Sequence, residues 1–321
     1  MNSSKSVLVT GSTGFVGQQI INLLRRKQIP WLAAVRKPTD LFPKDKQVVV
    51  GEINGDTNWK PALENTDRVI HAAGRAHQNN VDHNAEQLLH LAINFHGTEN
   101  LTRSAVAASV KKIIYLSTIK VLGESQKAPF KESDPLFPHD AYSEAKCKAE
   151  TSLLEQTSGT QTQAVILRPP LVYGPHAKGN FQKVMAACAA GKILPLAGLK
   201  KNRRSFIYVK NLADAVVFCL NSNSTGNKIF HVADQSPLST AEFIASIGQN
   251  FSNFKNISIP PWLLGLALDL MGKAPEKERL FSDMVVDTTS IQSTLGWNPP
   301  YTTQSGMTET ALEYGKIGQT L

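Results

Sequence analysis

A tyrosine and a lysine four residues apart, Tyr142 and Lys146 in the segment YSEAK, are the first residues whose types and spacing could do chemistry. They stand at the start of a helical segment, so this spacing places both side chains on one face of the helix. A lysine ammonium close to a phenol stabilises the phenolate and lowers the pKa of the tyrosine, which makes it a usable proton donor or acceptor. Many helices carry such a pair by chance, so the interpretation needs support from other residues.

A glycine-rich stretch near the N-terminus, VTGSTGFVG at residues 9–17, could bind a phosphate. Gly11, Gly14 and Gly17 recur every third residue between the apolar run SVLV and the apolar-periodic segment IINLLRR. A strand that ends in such a turn and passes into a helix brings backbone N–H groups and a helix N-terminus up to a phosphate. Glycine triplets also occur in ordinary turns, but the strand and helix on either side favour a dinucleotide site.

Two hydroxyl residues, Ser117 and Thr118, end the apolar run KIIYLST that precedes the Tyr-Lys pair. The carboxyl ends of parallel strands lie where such sheets bind their ligands. The alternative is that both hydroxyls only satisfy backbone groups at the strand end. The order along the chain, from glycine turn to hydroxyls to Tyr-x-x-x-Lys, favours a catalytic role.

Arg36 and Lys37 follow the second predicted strand, WLAAV, about where the adenosine ribose of a dinucleotide should lie. An acidic residue there would accept hydrogen bonds from a ribose 2′-hydroxyl, whereas an arginine can meet a 2′-phosphate. We therefore expect NADP(H) to be preferred, with NAD(H) as the other possibility. A solvated arginine at a strand end is the alternative interpretation.

Short apolar runs alternate with helical segments through the first half of the chain, which predicts a parallel sheet covered by helices on both faces. After residue 170 the pattern changes to mixed helices, short strands and prolines. We therefore expect an α/β fold: a doubly wound parallel sheet in a dinucleotide-binding domain, residues 1–170, and a smaller substrate domain, residues 171–321, with some chain returning to the sheet. The runs are SVLVT, WLAAV, QVVV, RVIHAA, KIIYLST and TQAVILR.

The composition of the 321 residues, 41% hydrophobic and 19% charged, is that of a globular protein. A net charge of +8 is compatible with binding to nucleic acid, to an anionic membrane surface or to small anionic ligands. No interleaved aromatic residues or known nucleic-acid motif accompany the basic residues, so phosphorylated small molecules rank first. The spacing of Cys147, Cys188 and Cys219 is not that of a zinc site, so we expect no metal and a reduced, cytoplasmic setting. We also expect no export signal.

The most apolar window of the chain is PWLLGLALDLMG, residues 261–272. It is too short to span a bilayer and it contains Asp269. A buried or interfacial amphipathic helix is therefore expected there.

Taken together, these features resemble the extended short-chain dehydrogenase/reductases of the sugar-nucleotide epimerase/dehydratase group. The resemblance covers almost the whole chain and implies a Rossmann domain that binds the dinucleotide and a smaller C-terminal domain that binds a nucleotide diphosphate sugar. The segments that carry it are TGSTGFVG, HAAGRAH at 71–77, NFHGTEN at 94–100, YLSTIKVLGE, YSEAK, ILRPPLVYGP, RRSFIYVKNLADA and LGWNPP.

The resemblance also implies roles for individual residues. Thr118 would bond to the reacting oxygen, Tyr142 would be the acid/base with Lys146 as its partner, and Asn94 would support the active-site water and helix geometry. The cofactor would lie against Gly11, Thr13, Gly14, Phe15, Val16, Gly17, Arg36, Ala72, Ala73, Gly74, Tyr142 and Lys146. The sugar nucleotide would be held by Lys120, Asn180, Arg204 and Arg279. Family members often form homodimers through the helices near residues 85–108 and 141–156.

Two departures from the family pattern narrow the reaction. Dehydratases of the group carry an Asp-Glu pair directly after the threonine, where this chain has Ile119 and Lys120, so elimination of water is disfavoured. Typical 4-epimerases carry an acidic residue after the second strand to hold NAD, where this chain has Arg36. These departures favour an NADP-dependent reductase. The segments HAAGRAH, STIKVLGE, RPPLVYGP with KGNF, and RRS most resemble the bacterial branch that reduces 4-keto sugars on UDP or makes related epimers for surface polysaccharide. That resemblance implies reduction of the 4-keto group of a UDP-linked 6-deoxy-N-acetylhexosamine-type sugar.

Two alternatives to the reductase stay open. A UDP-hexose or UDP-N-acetylhexosamine 4-epimerase with bound NAD would use the same residues and return the hydride to the opposite face of the sugar. A non-catalytic dinucleotide-sensing regulator would keep the fold, but the intact set of Thr118, Tyr142 and Lys146 argues against it.

Overall fold

The structure is a computed structural model that describes residues 5–75, 83–222 and 226–318. Its strands, in chain order, are β1 Ser6–Thr10, β2 Trp31–Val35, β3 Gln47–Val49, β4 Thr66–His71, β5 Lys112–Leu116, β6 Gln163–Arg168, β7 Leu171–Tyr173, β8 Ile193–Leu194, β9 Phe206–Tyr208, β10 Lys228–His231 and β11 Lys255–Asn256. Its α-helices are α1 Phe15–Arg26, α2 Lys60–Leu63, α3 His83–His90, α4 Gly97–Ala107, α5 Ala141–Thr157, α6 Asn180–Ala189, α7 Val209–Asn221, α8 Thr240–Gly248, α9 Pro261–Leu270, α10 Ala274–Phe281, α11 Thr289–Leu295 and α12 Thr303–Gly318.

The largest sheet in the described part of the chain has seven parallel strands in the order β10-β6-β5-β4-β1-β2-β3. The chain builds β1, β2 and β3 outward to one side and then crosses back to place β4, β5 and β6 on the other. The reversal between β1 and β4 creates a crevice at the carboxyl ends of these strands, which is where open α/β sheets bind ligands. The predicted doubly wound Rossmann-type fold is confirmed.

Helices cover both faces of this sheet because the strands are apolar on both faces. Val7 and Val9 of β1 join the core cluster that also contains Ile20 of α1 and Val216 of α7. Leu8, which points the other way, joins a second cluster with residues of α4 and α5. The alternation of side chains along a strand thus fixes which helix packs on which face.

The part of the chain after residue 170 contributes to both regions of the molecule. Strand β10 adds to the large sheet beside β6. A third core cluster lies around the short parallel pair β7 and β9 and contains Tyr173, Phe181, Tyr208 and Phe243. The division into two domains at residue 170 stays a prediction.

A π-helical segment interrupts the helical stretch that precedes β5. Helices α3 and α4 are joined by a π-helical segment, Leu91–His96, rather than by continuous α-helix. A π-helical turn accommodates an extra residue within a helix and is frequent at functional sites. Here it contains Asn94, whose side chain is buried.

Candidate active site

The glycine turn after β1 is held against the end of β4 by backbone packing. Gly11 has a φ of +63°, and a Cβ atom there would lie 2.6 Å from both Ala72 O and Ala73 N. A Cβ atom on Gly17 would lie 2.1 Å from Gly11 O. No side chain fits at either position, so the three-residue spacing reflects close contact between the turn, the start of α1 and the end of β4.

A cleft of about 440 Å³ opens beside this turn at the carboxyl edge of the sheet. Of the residues predicted to bind the cofactor, Gly11, Thr13, Gly14, Arg36, Ala72, Ala73 and Gly74 line it. Phe15 and Val16 instead pack against the apolar core, and Gly17 packs against the turn itself. Gly14 is the N-cap of α1, so the helix N-terminus is available to a phosphate. The cleft therefore fits a dinucleotide.

Arg36 lies at the cleft together with a carboxylate that the sequence analysis missed. Its Nη1 atom lies 3.2 Å from Oε1 of Glu52, and the two side chains are 71% and 66% exposed. An ion pair this exposed contributes at most about 1 kcal/mol, so it does not prevent Arg36 from meeting another anion. In the sequence, Glu52 stands two residues after the apolar run QVVV. This position, at the end of a predicted strand, could have identified it as a residue of the cleft.

Asn94 fixes the loop that follows β4. Its Oδ1 accepts a hydrogen bond from Arg75 N at 2.8 Å, and its Nδ2 donates to Arg75 O at 3.0 Å. Nδ2 also lies 3.2 Å from His90 Nδ1, and the His90 ring packs edge-on against Tyr142 with centroids 5.8 Å apart. Asn94 thus connects the cofactor cleft to the tyrosine, whereas a contact with active-site water stays a prediction. Ala76 and His77 of the same motif lie outside the described residues.

A buried hydrogen-bond chain runs through His71, a residue to which the sequence analysis gave no role of its own. Ala73 N donates to Thr10 Oγ1 at 3.1 Å, and that hydroxyl lies 2.7 Å from His71 Nδ1. On the other side of the ring, Nε2 lies 2.9 Å from Thr98 Oγ1, which donates to Asn94 O at 2.8 Å. These partners require Nε2 to carry the proton and Nδ1 to accept. The chain therefore ties β1, β4 and the π-helical segment together directly beneath the cleft.

The predicted catalytic side chains converge at the start of α5. Asp140 caps this helix by accepting a hydrogen bond from Ser143 N at 2.7 Å, which places Tyr142 in the first helical turn. The Thr118 side chain is near enough to the Tyr142 phenol to oppose the rise of its pKa. Lys146, one turn further on, donates from Nζ to Leu116 O at 2.8 Å. A Cβ atom on Gly74 would lie 3.3 Å from Lys146 Nζ, so the lysine reaches the wall of the cofactor cleft.

The two hydroxyls at the end of β5 differ in their surroundings. Thr118 Oγ1 accepts a hydrogen bond from Lys120 N at 3.3 Å and influences the pKa of Tyr142. Ser117 Oγ is buried and has no hydrogen-bond partner among the residues that the structure describes. The alternative that both hydroxyls serve the strand-end backbone therefore fails for Ser117, while Thr118 makes such a backbone contact and also lies close to the tyrosine.

Burial separates the pKa values of the tyrosine and the lysine. Burial, helped by the Asp140 carboxylate and opposed by the Thr118 hydrogen bond, raises the pKa of Tyr142 to about 12. Burial lowers the pKa of Lys146 to about 8, with Glu150 opposing the shift. The prediction that Lys146 lowers the pKa of the phenol is wrong for this structure, because loss of solvent favours the neutral phenol. Tyr142 is therefore a protonated acid at neutral pH.

Three of the four predicted substrate residues have described side chains. Lys120 forms ion pairs with Glu124 at 2.6 Å and Asp140 at 3.0 Å. Arg204 is half-buried and donates from Nη1 to Ser282 Oγ at 2.9 Å. Burial lowers the pKa of Arg204, and the positive charge of the exposed Arg279 lowers it further. Asn180 begins α6, and its side chain lies outside the described part. No group of three or more metal-ligating side chains occurs in the described chain.

This arrangement, a glycine turn at a sheet reversal with Thr, Tyr and Lys beside it, defines a dinucleotide-binding oxidoreductase site. The family model described as "NAD dependent epimerase/dehydratase family" matches residues 7–233. The chain belongs to this family, whose enzymes depend on a nicotinamide dinucleotide, and the resemblance drawn from the sequence is confirmed.

Individual relatives extend along nearly the whole chain. A UDP-glucose 4-epimerase from Vibrio cholerae is 37% identical, with 96% of this chain and 94% of the relative covered. An N-acetyl-alpha-D-glucosaminyl-diphospho-ditrans,octacis-undecaprenol 4-epimerase from Escherichia coli O157:H7 is 26% identical, covering 96% and 95%. A solved structure of UDP-glucuronic acid 4-epimerase from Bacillus cereus in complex with NAD is 17% identical and has a TM-score of 0.77, covering 97% and 99%. That last likeness shows the shared fold.

The neutral state of His71 predicts a measurable loss of stability in acid. Burial, with a smaller effect of Lys146, lowers the pKa of His71 to about 3, from 6.5 in the unfolded chain. Between these values the unfolded state binds a proton that the folded state does not, so stability falls as pH falls from 6.5 towards 3, by about 1.4 kcal/mol per pH unit. His71→Gln should reduce that slope by this amount in urea unfolding measured from pH 7 to pH 5.

Thr98→Val is the matched control, because it removes a hydrogen-bond partner of the ring but keeps the titrating histidine. It should lower the free energy of unfolding at every pH and leave the slope in place. An unchanged slope for His71→Gln would show that the folded protein protonates His71 and that the hydrogen-bond chain is assigned incorrectly.

Proposed function

We propose that this chain catalyses oxidation-reduction at C4 of a UDP-linked sugar. The observation that carries the proposal is the convergence of Thr118, Tyr142 and Lys146 beside the cleft that the glycine turn lines. The named activities of relatives along the whole chain, among them UDP-glucose 4-epimerase, support the same substrate class.

Each side chain of the site has a separate role in the proposed reaction. A bound nicotinamide dinucleotide supplies or accepts the hydride at C4. Tyr142, protonated because its pKa is raised, donates its proton to the C4 oxygen as negative charge develops there. Thr118 donates a hydrogen bond to the same oxygen and fixes its position. Lys146, anchored on Leu116 O, places its ammonium where the nicotinamide ribose would lie and stabilises the phenolate left after proton transfer.

The particular reaction proposed is reduction of a 4-keto group on a UDP-linked 6-deoxy-N-acetylhexosamine-type sugar. Ile119 is buried in an apolar cluster and Lys120 is paired with two carboxylates, so neither position supplies the acid and base that elimination of water requires. The substrate would then reach this enzyme already oxidised at C4. The exposed Arg36 at the cleft favours NADP(H) as the reductant.

A second candidate is a UDP-sugar 4-epimerase that keeps its NAD through both half-reactions. The names of relatives favour it, including the 37% identical UDP-glucose 4-epimerase. The contact between Arg36 and Glu52 favours it as well, because the carboxylate beside the arginine can accept hydrogen bonds from a ribose 2′-hydroxyl. The two candidates differ in cofactor preference and in whether reductant is consumed.

The diphosphate of the sugar nucleotide is assigned to Arg204 and Arg279, with Asn180 and Lys120 as further contacts. Two observations support this assignment. Arg279 lies close enough to Arg204 to lower its pKa. Arg204 also contacts Ser282 and Met284, which follow the helix that carries Arg279. A homodimer formed through the helices near residues 85–108 and 141–156, and a cytoplasmic location, complete the proposal.

Tyr142→Phe should lower turnover by about 10²–10⁴-fold, because it removes the proton donor and keeps the ring. Binding of NADPH or NADH, followed by calorimetry, should stay within about twofold of wild type, because the substitution deletes only the hydroxyl and keeps the ring. Thr118→Val is the graded comparison and should lose less activity. Turnover near the wild-type rate in Tyr142→Phe would place the acid elsewhere.

NADPH should bind about 10–100-fold more tightly than NADH, because a charge-assisted contact to a 2′-phosphate contributes roughly 1.5–3 kcal/mol. Arg36→Asp should weaken NADPH binding more than NADH binding in calorimetric titrations. Lys37→Ala removes the neighbouring positive charge and should change both affinities little. Equal or tighter binding of NADH by the wild-type protein would contradict the assignment and favour the epimerase.

Incubation with a UDP-4-keto-6-deoxy sugar should consume one NADPH for each product formed, whereas UDP-glucose and UDP-N-acetylglucosamine should stay unchanged without NADP⁺. The reason is that a reductase releases its oxidised cofactor after one transfer. Product identification and the absorbance of NADPH measure both. Interconversion of two C4 epimers with no net consumption, in a protein purified with tightly bound NAD, would establish the epimerase instead.

A further inference from the structure

Helix α9 exposes an unusually apolar surface. The segment PWLLGLALDL is almost entirely hydrophobic, yet Gly265 is its one fully buried residue. Trp262 is 71% exposed, and Leu270 and Met271 are 80% and 61% exposed. A helix that is hydrophobic all round is normally enclosed by protein or lipid. Contiguous exposed apolar surface of this kind marks a site of interaction.

The exposed apolar side chains occupy one continuous half of the helix. At 100° per residue, Trp262, Leu266, Leu270, Leu263 and Met271 follow one another around an arc of about 180°. The opposite side packs against α10, where a Cβ atom on Gly265 would lie 3.4 Å from the Lys277 side chain. The single acid of the helix, Asp269, is paired with that same lysine. The outward half of α9 is therefore free of charge.

Four exposed lysines stand in the segments next to α9. Lys255 precedes α9 in β11 and Lys273 follows it, while Lys192 stands next to β8, the strand that pairs with β11. Lys200 lies in the turn whose Gly198 packs on Ile259. None of the four forms an ion pair within residues 5–75, 83–222 and 226–318, and the exposed acids of α10 are Glu276 and Glu278. The segments that lead into and out of the apolar helix thus carry cationic side chains without an anionic partner.

We propose that α9 is a docking site for an anionic lipid bilayer, in which the helix lies in the plane of the interface. The apolar arc would enter the boundary between headgroups and acyl chains, with Trp262 at the level of the headgroups. The four lysines would contact anionic headgroups, each adding attraction that salt screens. No helix in the described residues is long and apolar enough to cross a membrane, so the contact is peripheral.

Charge favours a bilayer over a second copy of the chain. Two copies that met through their α9 helices would bring two sets of the same four lysines together, in a protein whose net charge is already +8. An anionic surface complements these four lysines, whereas a symmetric partner repeats them. Helix α10, packed on α9, carries Arg279, so docking would place one assigned substrate residue close to the membrane surface.

Tryptophan fluorescence tests the contact directly. Of the four tryptophans, Trp31, Trp59 and Trp297 are buried and Trp262 is exposed, so a change in emission on binding reports α9. Vesicles of equal parts phosphatidylglycerol and phosphatidylcholine should shift the emission to shorter wavelength and sediment with the protein. Vesicles of phosphatidylcholine alone should bind more weakly, and added salt should reduce binding to the anionic vesicles.

Leu266→Glu and Leu270→Glu should each lower vesicle partitioning by about tenfold or more, because each replaces an inserted apolar side chain with a charge. Leu312→Glu, at a leucine that is 62% exposed on α12, is the matched control and should bind as wild type does. Each variant should keep the wild-type melting temperature and NADPH affinity, since the substituted side chains face solvent. This readout needs no enzyme activity, so it is independent of the proposed function.

Three results would overturn the proposal: equal binding of the α9 variants and wild type, no preference for anionic vesicles, or no binding at all. A concentration-dependent fluorescence shift without vesicles, together with a dimer in analytical ultracentrifugation that Leu270→Glu dissociates, would assign α9 to a second copy of the chain.

Discussion

The contact between Gly11 and the backbone of Ala72 and Ala73 is the constraint on which the site depends. It brings the ends of β1 and β4 so close that neither residue type nor turn geometry can vary there. The hydrogen-bond chain through His71 continues the same constraint to the π-helical segment, and Asn94 then holds Arg75 on the far side of the cleft. One continuous set of short-range contacts therefore shapes the cofactor cleft.

The pKa values of Tyr142 and Lys146 depend on burial more than on the proximity of opposite charges. The same loss of solvent raises the pKa of Tyr142 and lowers that of Lys146, because burial penalises the charged form of each group. A neutral phenol suits proton donation to a carbonyl that is being reduced. Lys146, with a pKa of about 8, is still mostly protonated at neutral pH, so its ammonium is present in the site before any phenolate forms. In the proposed mechanism, the electrostatic coupling between the two residues therefore matters most during proton transfer, when the phenolate exists.

The strands of the sheet were predictable to within a few residues because each is set by a short apolar run and the turn after it. The line-up of Thr118, Tyr142 and Lys146 was predictable because the order of elements places strand ends and helix starts at one edge. The roles of His71, His90 and Glu52 were not, because their partners Thr98, Asn94 and Arg36 are chosen by sheet order and by a π-helical turn that local periodicity does not show. Likewise, the burial that reverses the expected effect on Tyr142 is a property of the assembled site.

The pairing of Arg36 with Glu52 bears on how long a cofactor stays bound. Two exposed side chains of opposite sign at the mouth of the cleft offer one group to a 2′-phosphate and the other to a 2′-hydroxyl, so neither cofactor is excluded by shape. In the proposed assignment the glycine turn and the helix N-terminus hold the phosphates of the cofactor, and the contact between Arg36 and a 2′-phosphate supplies the preference at the ribose. A reductase must exchange its cofactor after each hydride transfer, whereas an epimerase keeps it. The exposed position of Arg36 and Glu52 at the edge of the cleft is compatible with exchange.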